Sequence, residues 1–156
     1  MTTEKKYRLT NESITIYGRK LYRIEALKDF GDVHKGDKGS FIESEKNLSH
    51  NGYCWVFGNA VVYDNAMVWG DAEVFGNANV IGNARVVNNA DYIVFKNWWS
   101  SGRYFTWTRS NNMWRVDCFY GTGEELIAKA YKDSELSGRE YERVVKYVES
   151  ILKDNK

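Results

Sequence analysis

Between residues 98 and 115 the chain gathers Trp98, Trp99, Arg103, Tyr104, Trp107, Arg109, Trp114 and Arg115. Aromatic faces stack on nucleobases, and guanidinium forks grip phosphates through paired hydrogen bonds. On a strand, Arg103, Phe105, Trp107 and Arg109 share one face, while Tyr104, Thr106 and Thr108 share the other. The expected ligand-binding residues are therefore Trp98, Trp99, Arg103, Trp107, Arg109, Trp114 and Arg115, and the expected ligand is a nucleotide-like molecule or a single nucleic-acid strand. The competing reading of the same residues is an aromatic sheet face buried against its own helices.

Other reactive side chains are sparse. The carboxylate pairs Glu43/Glu45 and Glu124/Glu125 have structural readings: the first points outward from a strand, the second fills a first helical turn, where negative charge suits the helix dipole. Cys118 alternates with Val116 and Tyr120 and reads as a core strand residue. Cys54 reads as a second reduced, buried thiol. The glycines of the hexads are corner residues with a period of six, and no phosphate-binding glycine motif follows a strand. No cofactor and no metal are expected.

The elements that must hold these residues start from a repeat. From Val56 the chain reads VFGNAV, VYDNAM, VWGDAE, VFGNAN, VIGNAR, VVNNAD, with Val every sixth residue from 56 to 86 and Ala every sixth from 60 to 90. Val and Ala point inward from short strands, and the Gly-Asn or Asp-Asn pairs turn the chain. Three strands and three turns close eighteen residues, so Phe57 stacks above Phe75, Tyr63 above Ile81, and Trp69 above Val87. Each hexad buries its apolar face only against its neighbours. The outer residues Phe57, Tyr63, Trp69, Phe75 and Ile81 are expected to pack against flanking segments or another subunit, since exposed apolar surface of that extent is unusual.

This spacing resembles the hexapeptide-repeat proteins, which form left-handed parallel β-helices. YRIEALKDF, KGDKGSFIESEKNLS, the tryptophan that follows and the GNA hexads look like a group of small phage and prophage-type proteins of that kind. The CFYGTGEEL stretch resembles their short cap domain. Many hexapeptide-repeat proteins are acyltransferases with a histidine base, for which His34 and His50 are the candidates. Neither stands in a diagnostic motif, so no catalytic residue is assigned, with His50 next in line. The zinc chemistry of that family needs three histidine ligands, and this chain has two.

Around the hexads, short strands are expected at Tyr7–Leu9, Ser13–Tyr17 and Leu21–Ala26, with a turn at Gly18-Arg19. The step of eight from Leu48 to Val56 places two extra residues at His50 to Gly52. Downstream, strands over Tyr92–Trp99, Arg103–Arg109 and Met113–Tyr120 form a meander. Thr122 with Glu125 marks one helix start, and a second helix begins near Ser137.

The expected fold class is mainly β: a left-handed parallel β-helix with N-terminal β strands and a C-terminal antiparallel β-meander plus two α-helices. The expected units are residues 1–40, 41–93 and 94–156. With 22 basic and 21 acidic residues, the charge balance does not suit a DNA-coating protein, and no apolar run reaches membrane length. With no charged-then-apolar leader, a cytoplasmic place in a bacterial host is expected. The expected function is that of a homo-oligomeric, non-catalytic binding protein, with a trimer favoured. As a phage-type host-interaction protein it would sequester a nucleotide-like molecule or block a host protein. The alternatives are a hexapeptide-type acyltransferase and a purely structural trimerising spacer.

Overall fold

The computed structural model describes residues 4–154. Strands β1 (Tyr7–Ile16) and β2 (Arg19–Ala26) form an antiparallel hairpin. Its tip, Tyr17-Gly18, takes φ of 46° and 82°, the left-handed pair that a two-residue hairpin turn requires. The turn therefore sits one residue earlier than Gly18-Arg19. Strand β3 (Lys38–Ile42) pairs with β2, and a 3-10 turn at Glu45–Asn47 follows.

The hexads form six two-residue strands: β4 (Trp55–Val56), β5 (Val61–Val62), β6 (Met67–Val68), β7 (Glu73–Val74), β8 (Asn79–Val80) and β9 (Arg85–Val86). Val56 pairs in parallel with Val74, Val62 with Val80 and Val68 with Val86, each eighteen residues on. Upstream the offset is twenty, with Ile42 opposite Val62 and Leu48 opposite Val68. The two extra residues therefore lie between Leu48 and Trp55.

A four-stranded antiparallel sheet follows, made of β10 (Tyr92–Lys96), β11 (Tyr104–Thr108), β12 (Met113–Val116) and β13 (Phe119–Gly121). Helices α1 (Gly123–Asp133) and α2 (Glu135–Asp154) complete the chain. The Thr122 hydroxyl accepts from the Glu125 backbone N–H while the Glu125 carboxylate accepts from that of Thr122, which closes the capping box at the start of α1.

This architecture is mixed α/β, and it overturns the expected mainly β, left-handed parallel β-helix. The strands divide among a five-stranded sheet in the order β1-β2-β3-β5-β8, the four-stranded sheet, and the separate pairs β4-β7 and β6-β9. Helices of 11 and 20 residues add a second kind of layer. The physical reason lies in the sixth hexad. The corner residues Gly58, Asp64, Gly70, Gly76 and Gly82 have φ between 61° and 72°, but Asn88 is extended at −145°. Its side chain accepts from the Ala90 backbone N–H, and the Asp91 carboxylate accepts from those of Val87 and Asn88. These bonds divert the chain into a 3-10 turn at Asn89–Asp91. Ala60 to Ala84 are fully buried, whereas Ala90 is exposed. Too few repeats remain to sustain a solenoid, so each row takes its further partners from flanking elements.

Three clusters make the core. The largest holds the hexad valines and alanines with Tyr7, Phe30 and Trp55. A second packs Phe105, Trp107 and Trp114 against Leu126, Tyr141, Val145 and Val148 of the helices. The third joins Leu21, Val61, Tyr63 and Ile81 beneath the hairpin.

The last hexad strands do not present bare donors. Within the segment, the N–H groups of Trp55, Phe57, Val61, Met67 and Trp69 donate to carbonyls of the next strands. Eighteen residues on, side-chain oxygens take that role. Asn89 accepts from the Glu73 N–H at 2.8 Å, Tyr92 from Phe75 at 3.3 Å, Thr106 from Asn79 at 2.9 Å and Ser110 from Arg85 at 2.7 Å. The Asp91 carboxylate accepts from the Val87 N–H at 2.8 Å.

Candidate functional site

The structure separates the aromatic and basic residues that the sequence placed in one cluster. Trp107 and Trp114 are fully buried, and the Trp107 Nε1 donates to the Asn112 Oδ1 at 2.8 Å. Their faces are committed to the helix-backed core and are closed to a ligand. Trp99 packs edge-on against Tyr141 and donates to the Ser137 hydroxyl. Arg109 donates to the Ala90 carbonyl and lies over the Trp107 ring. Arg115 is buried, donating to the Tyr63 hydroxyl and to the Cys118 carbonyl, with the Tyr17 ring 4.8 Å from its guanidinium. Trp98, 69% exposed, Arg103 and Tyr104 stand clear, and Arg103 pairs with Asp117 at 2.9 Å. The strand alternation is real, but its Phe105 and Trp107 face turns inward.

Cys118 departs from its expected core position. The expected Met113–Tyr120 strand breaks into β12 and β13 because Asp117 takes φ of 52°. Val116 pairs with Phe119, which leaves Cys118 exposed in a two-residue turn. Cys54 is buried, and burial pushes its thiol pKa up. The fully buried Lys6 donates to the Cys54 carbonyl at 2.6 Å, and desolvation pulls the lysine's pKa down.

His50 has no free ring nitrogen for proton transfer. Its Nδ1 accepts from the Lys6 backbone N–H at 3.1 Å, which fixes the remaining proton on Nε2, 2.8 Å from the Glu45 carboxylate. The ring stacks on Tyr7 with centroids 4.1 Å apart. His34 is exposed. Glu43 and Glu45 do not share one strand face: Glu43 pairs with Arg19, and Glu45 opens the 3-10 turn, where His50 and Lys5 hold its pKa down.

The outer hexad residues have three fates. Tyr63 and Ile81 are buried under Ile14, Ile16 and Leu21 of the hairpin and under Tyr120 of β13. Trp69 is half-buried below the Arg85 guanidinium, and Val87 is partly exposed. Phe57 packs against the main core, but Phe75 is 51% exposed.

Phe75 forms one wall of a groove of about 530 Å³ between the fourth hexad and the outer face of β10 and β11. Asn77, Asn89, Tyr92, Val94 and Tyr104 also line it. Tyr104 is 45% exposed. Neither the Phe75 ring nor the Tyr104 ring contacts another aromatic ring among the described residues, and the Asn77 amide has no hydrogen-bond partner there. No acidic, basic or thiol side chain lines this groove. Tyr104, Asn77, Asn89 and Val94, which line this groove, were not among the ligand-binding residues expected from the sequence. The available signal was the parity that sets Tyr104 apart from Phe105 and Trp107.

Among the described residues, no helix is long and apolar enough to cross a membrane. No protein-family model matches the chain, and a search of curated proteins found no match.

Proposed function

We propose that the chain is a non-catalytic binding protein whose Phe75–Tyr104 groove holds a small planar ring of the nucleobase class. The observation that carries this reading is the pair of half-exposed aromatic rings, each without a ring partner, that line one groove. A flat heteroaromatic ring gains stacking from these aromatic faces, and the amides of Asn77 and Asn89 supply donors and acceptors for its edge. The absence of any carboxylate, imidazole or thiol from the lining favours holding over turnover. The double use of both His50 nitrogens speaks against the acyltransferase alternative in the same way.

Stacking on one aromatic side chain contributes about 1–3 kcal/mol, so loss of one ring weakens binding by roughly 5- to 150-fold. Isothermal titration with the four ribonucleosides tests this against Phe75→Ala and Tyr104→Ala. The expected result is binding of at least one nucleoside by the native protein and a loss on that scale in each variant. No heat from any nucleoside at millimolar concentration, or binding that both variants retain in full, overturns it.

A further inference from the structure

A cation stands next to one lining residue of the groove, outside the lining itself. Lys96 of β10 stands directly opposite Tyr104 of β11 in the antiparallel register. Side chains of directly opposed residues project from the same sheet face with Cβ atoms about 4.5–5.5 Å apart. Val94, two residues before Lys96 and on that same face, lines the groove. Lys96 is exposed, and its ammonium group makes no ion pair or hydrogen bond among the described residues.

The other charges of this region are engaged elsewhere. Arg103 precedes Tyr104, so it points from the opposite face, where it pairs with Asp117. Arg109 is held at the Ala90 carbonyl. The groove lining has no carboxylate to neutralise an ammonium group. A ring seated against Tyr104 thus has the Lys96 ammonium as its cross-strand neighbour.

Resting on the groove reading above, we infer that the preferred ligand carries an anionic phosphate on its ring-bearing moiety, as a nucleoside monophosphate does, and that Lys96 is the residue that selects it. The ammonium meets the phosphate as an exposed, salt-screened point charge. The predicted gain over the neutral nucleoside is therefore modest, about two- to fivefold, the scale of an exposed ion pair.

The competing role for Lys96 is protection of the sheet edge, because β10 is an edge strand and lysine there discourages pairing with another chain. Titrations of the four ribonucleosides and their 5′-monophosphates into native protein and Lys96→Gln, at low salt and at high salt, separate the two roles. The expected outcome is tighter monophosphate binding at low salt, a difference that shrinks at high salt and vanishes in Lys96→Gln while nucleoside affinity is unchanged. Equal binding of both ligand forms by the native protein overturns the selection by Lys96 but leaves the groove reading standing. Unchanged phosphate preference in Lys96→Gln, with increased self-association, assigns the lysine to edge protection instead. No binding of either form overturns the groove reading and this inference together.

Discussion

The Arg115 Nη2 donates to the Tyr63 hydroxyl at 2.9 Å, and this bond fastens the C-terminal sheet to the hexad segment. A second Arg115 donor reaches the Cys118 carbonyl, and the hairpin tip contributes Tyr17 to the other side of the guanidinium. One side chain therefore touches all three parts of the chain. Tyr63→Phe removes the acceptor and leaves a buried cation with one partner fewer. A hydrogen bond to a charged group contributes about 1.5–3 kcal/mol. Urea unfolding of Tyr63→Phe, Arg115→Met and the double variant is expected to show single losses of that order and a double loss smaller than their sum.

Trp107 provides the test of a core role against a ligand role. With its side chain fully buried beside Trp114, Trp107→Ala is expected to destabilise the protein by about 3–5 kcal/mol. Trp98 is the opposite case: Trp98→Ala changes stability by no more than about 0.5 kcal/mol. The same replacement removes the indole most open to a water-soluble fluorescence quencher, and quenching measurements check this directly.

The hexad corners separate backbone strain from crowding. At Gly58 the φ of 61° is left-handed, but a methyl group there meets nothing closer than 3.7 Å. Gly58→Ala then carries only the left-handed penalty, about 1–2 kcal/mol. Gly82 has a similar φ of 66°, and an added Cβ overlaps the Tyr120 hydroxyl. Thermal melts are expected to rank Gly82→Ala clearly below Gly58→Ala.

Acid sensitivity follows from the carboxylates. His50 and then Lys5 hold the Glu45 pKa below its usual range, and Arg23 does so for Glu12. A carboxyl with a depressed folded pKa adds stability above its unfolded pKa and loses it as pH falls through the folded value. Stability is therefore flat near neutrality and drops below about pH 4, near the ordinary carboxylate range. Glu45→Gln is expected to shallow that drop, measured as the urea midpoint against pH.

Much of the fold was legible because it rests on repetition or on local chemistry. The six-residue period brings Val56 opposite Val74, and the Leu48–Val56 step marks the change in register from twenty to eighteen. Thr122 with Glu125 announces α1, since a capping box depends on residues three apart. The end of the repeat was hidden, because VVNNAD keeps Val and Ala in place while the side chains of Asn88 and Asp91 redirect the backbone. Period alone carries no information about that competition. The break at Asp117 was hidden too, because no glycine marks its left-handed turn.

The site was legible only in its residue types. Aromatic and basic side chains do crowd residues 98–115, but helix packing claims Trp107 and Trp114, and Tyr63 claims Arg115. The groove needs Phe75 and Asn77 from one stretch and Val94 and Tyr104 from another. Their meeting depends on how the sheet docks on the last hexads, through bonds such as that from the Asn79 N–H to Thr106.

Those docking bonds also set an order of events during synthesis. Strands β7, β8 and β9 are complete by residue 86, yet Thr106 and Ser110, which take the Asn79 and Arg85 donors, emerge from the ribosome twenty or more residues later. In that interval the nascent chain carries an unsealed row of backbone donors, a template onto which a neighbouring chain can add a strand. A chain halted at residue 93 keeps the Asn79 and Arg85 donors open permanently and is expected to aggregate. Residues 94–110 thus act as a molecular stopper, and the C-terminal segment keeps the protein's own repeat from recruiting its neighbours.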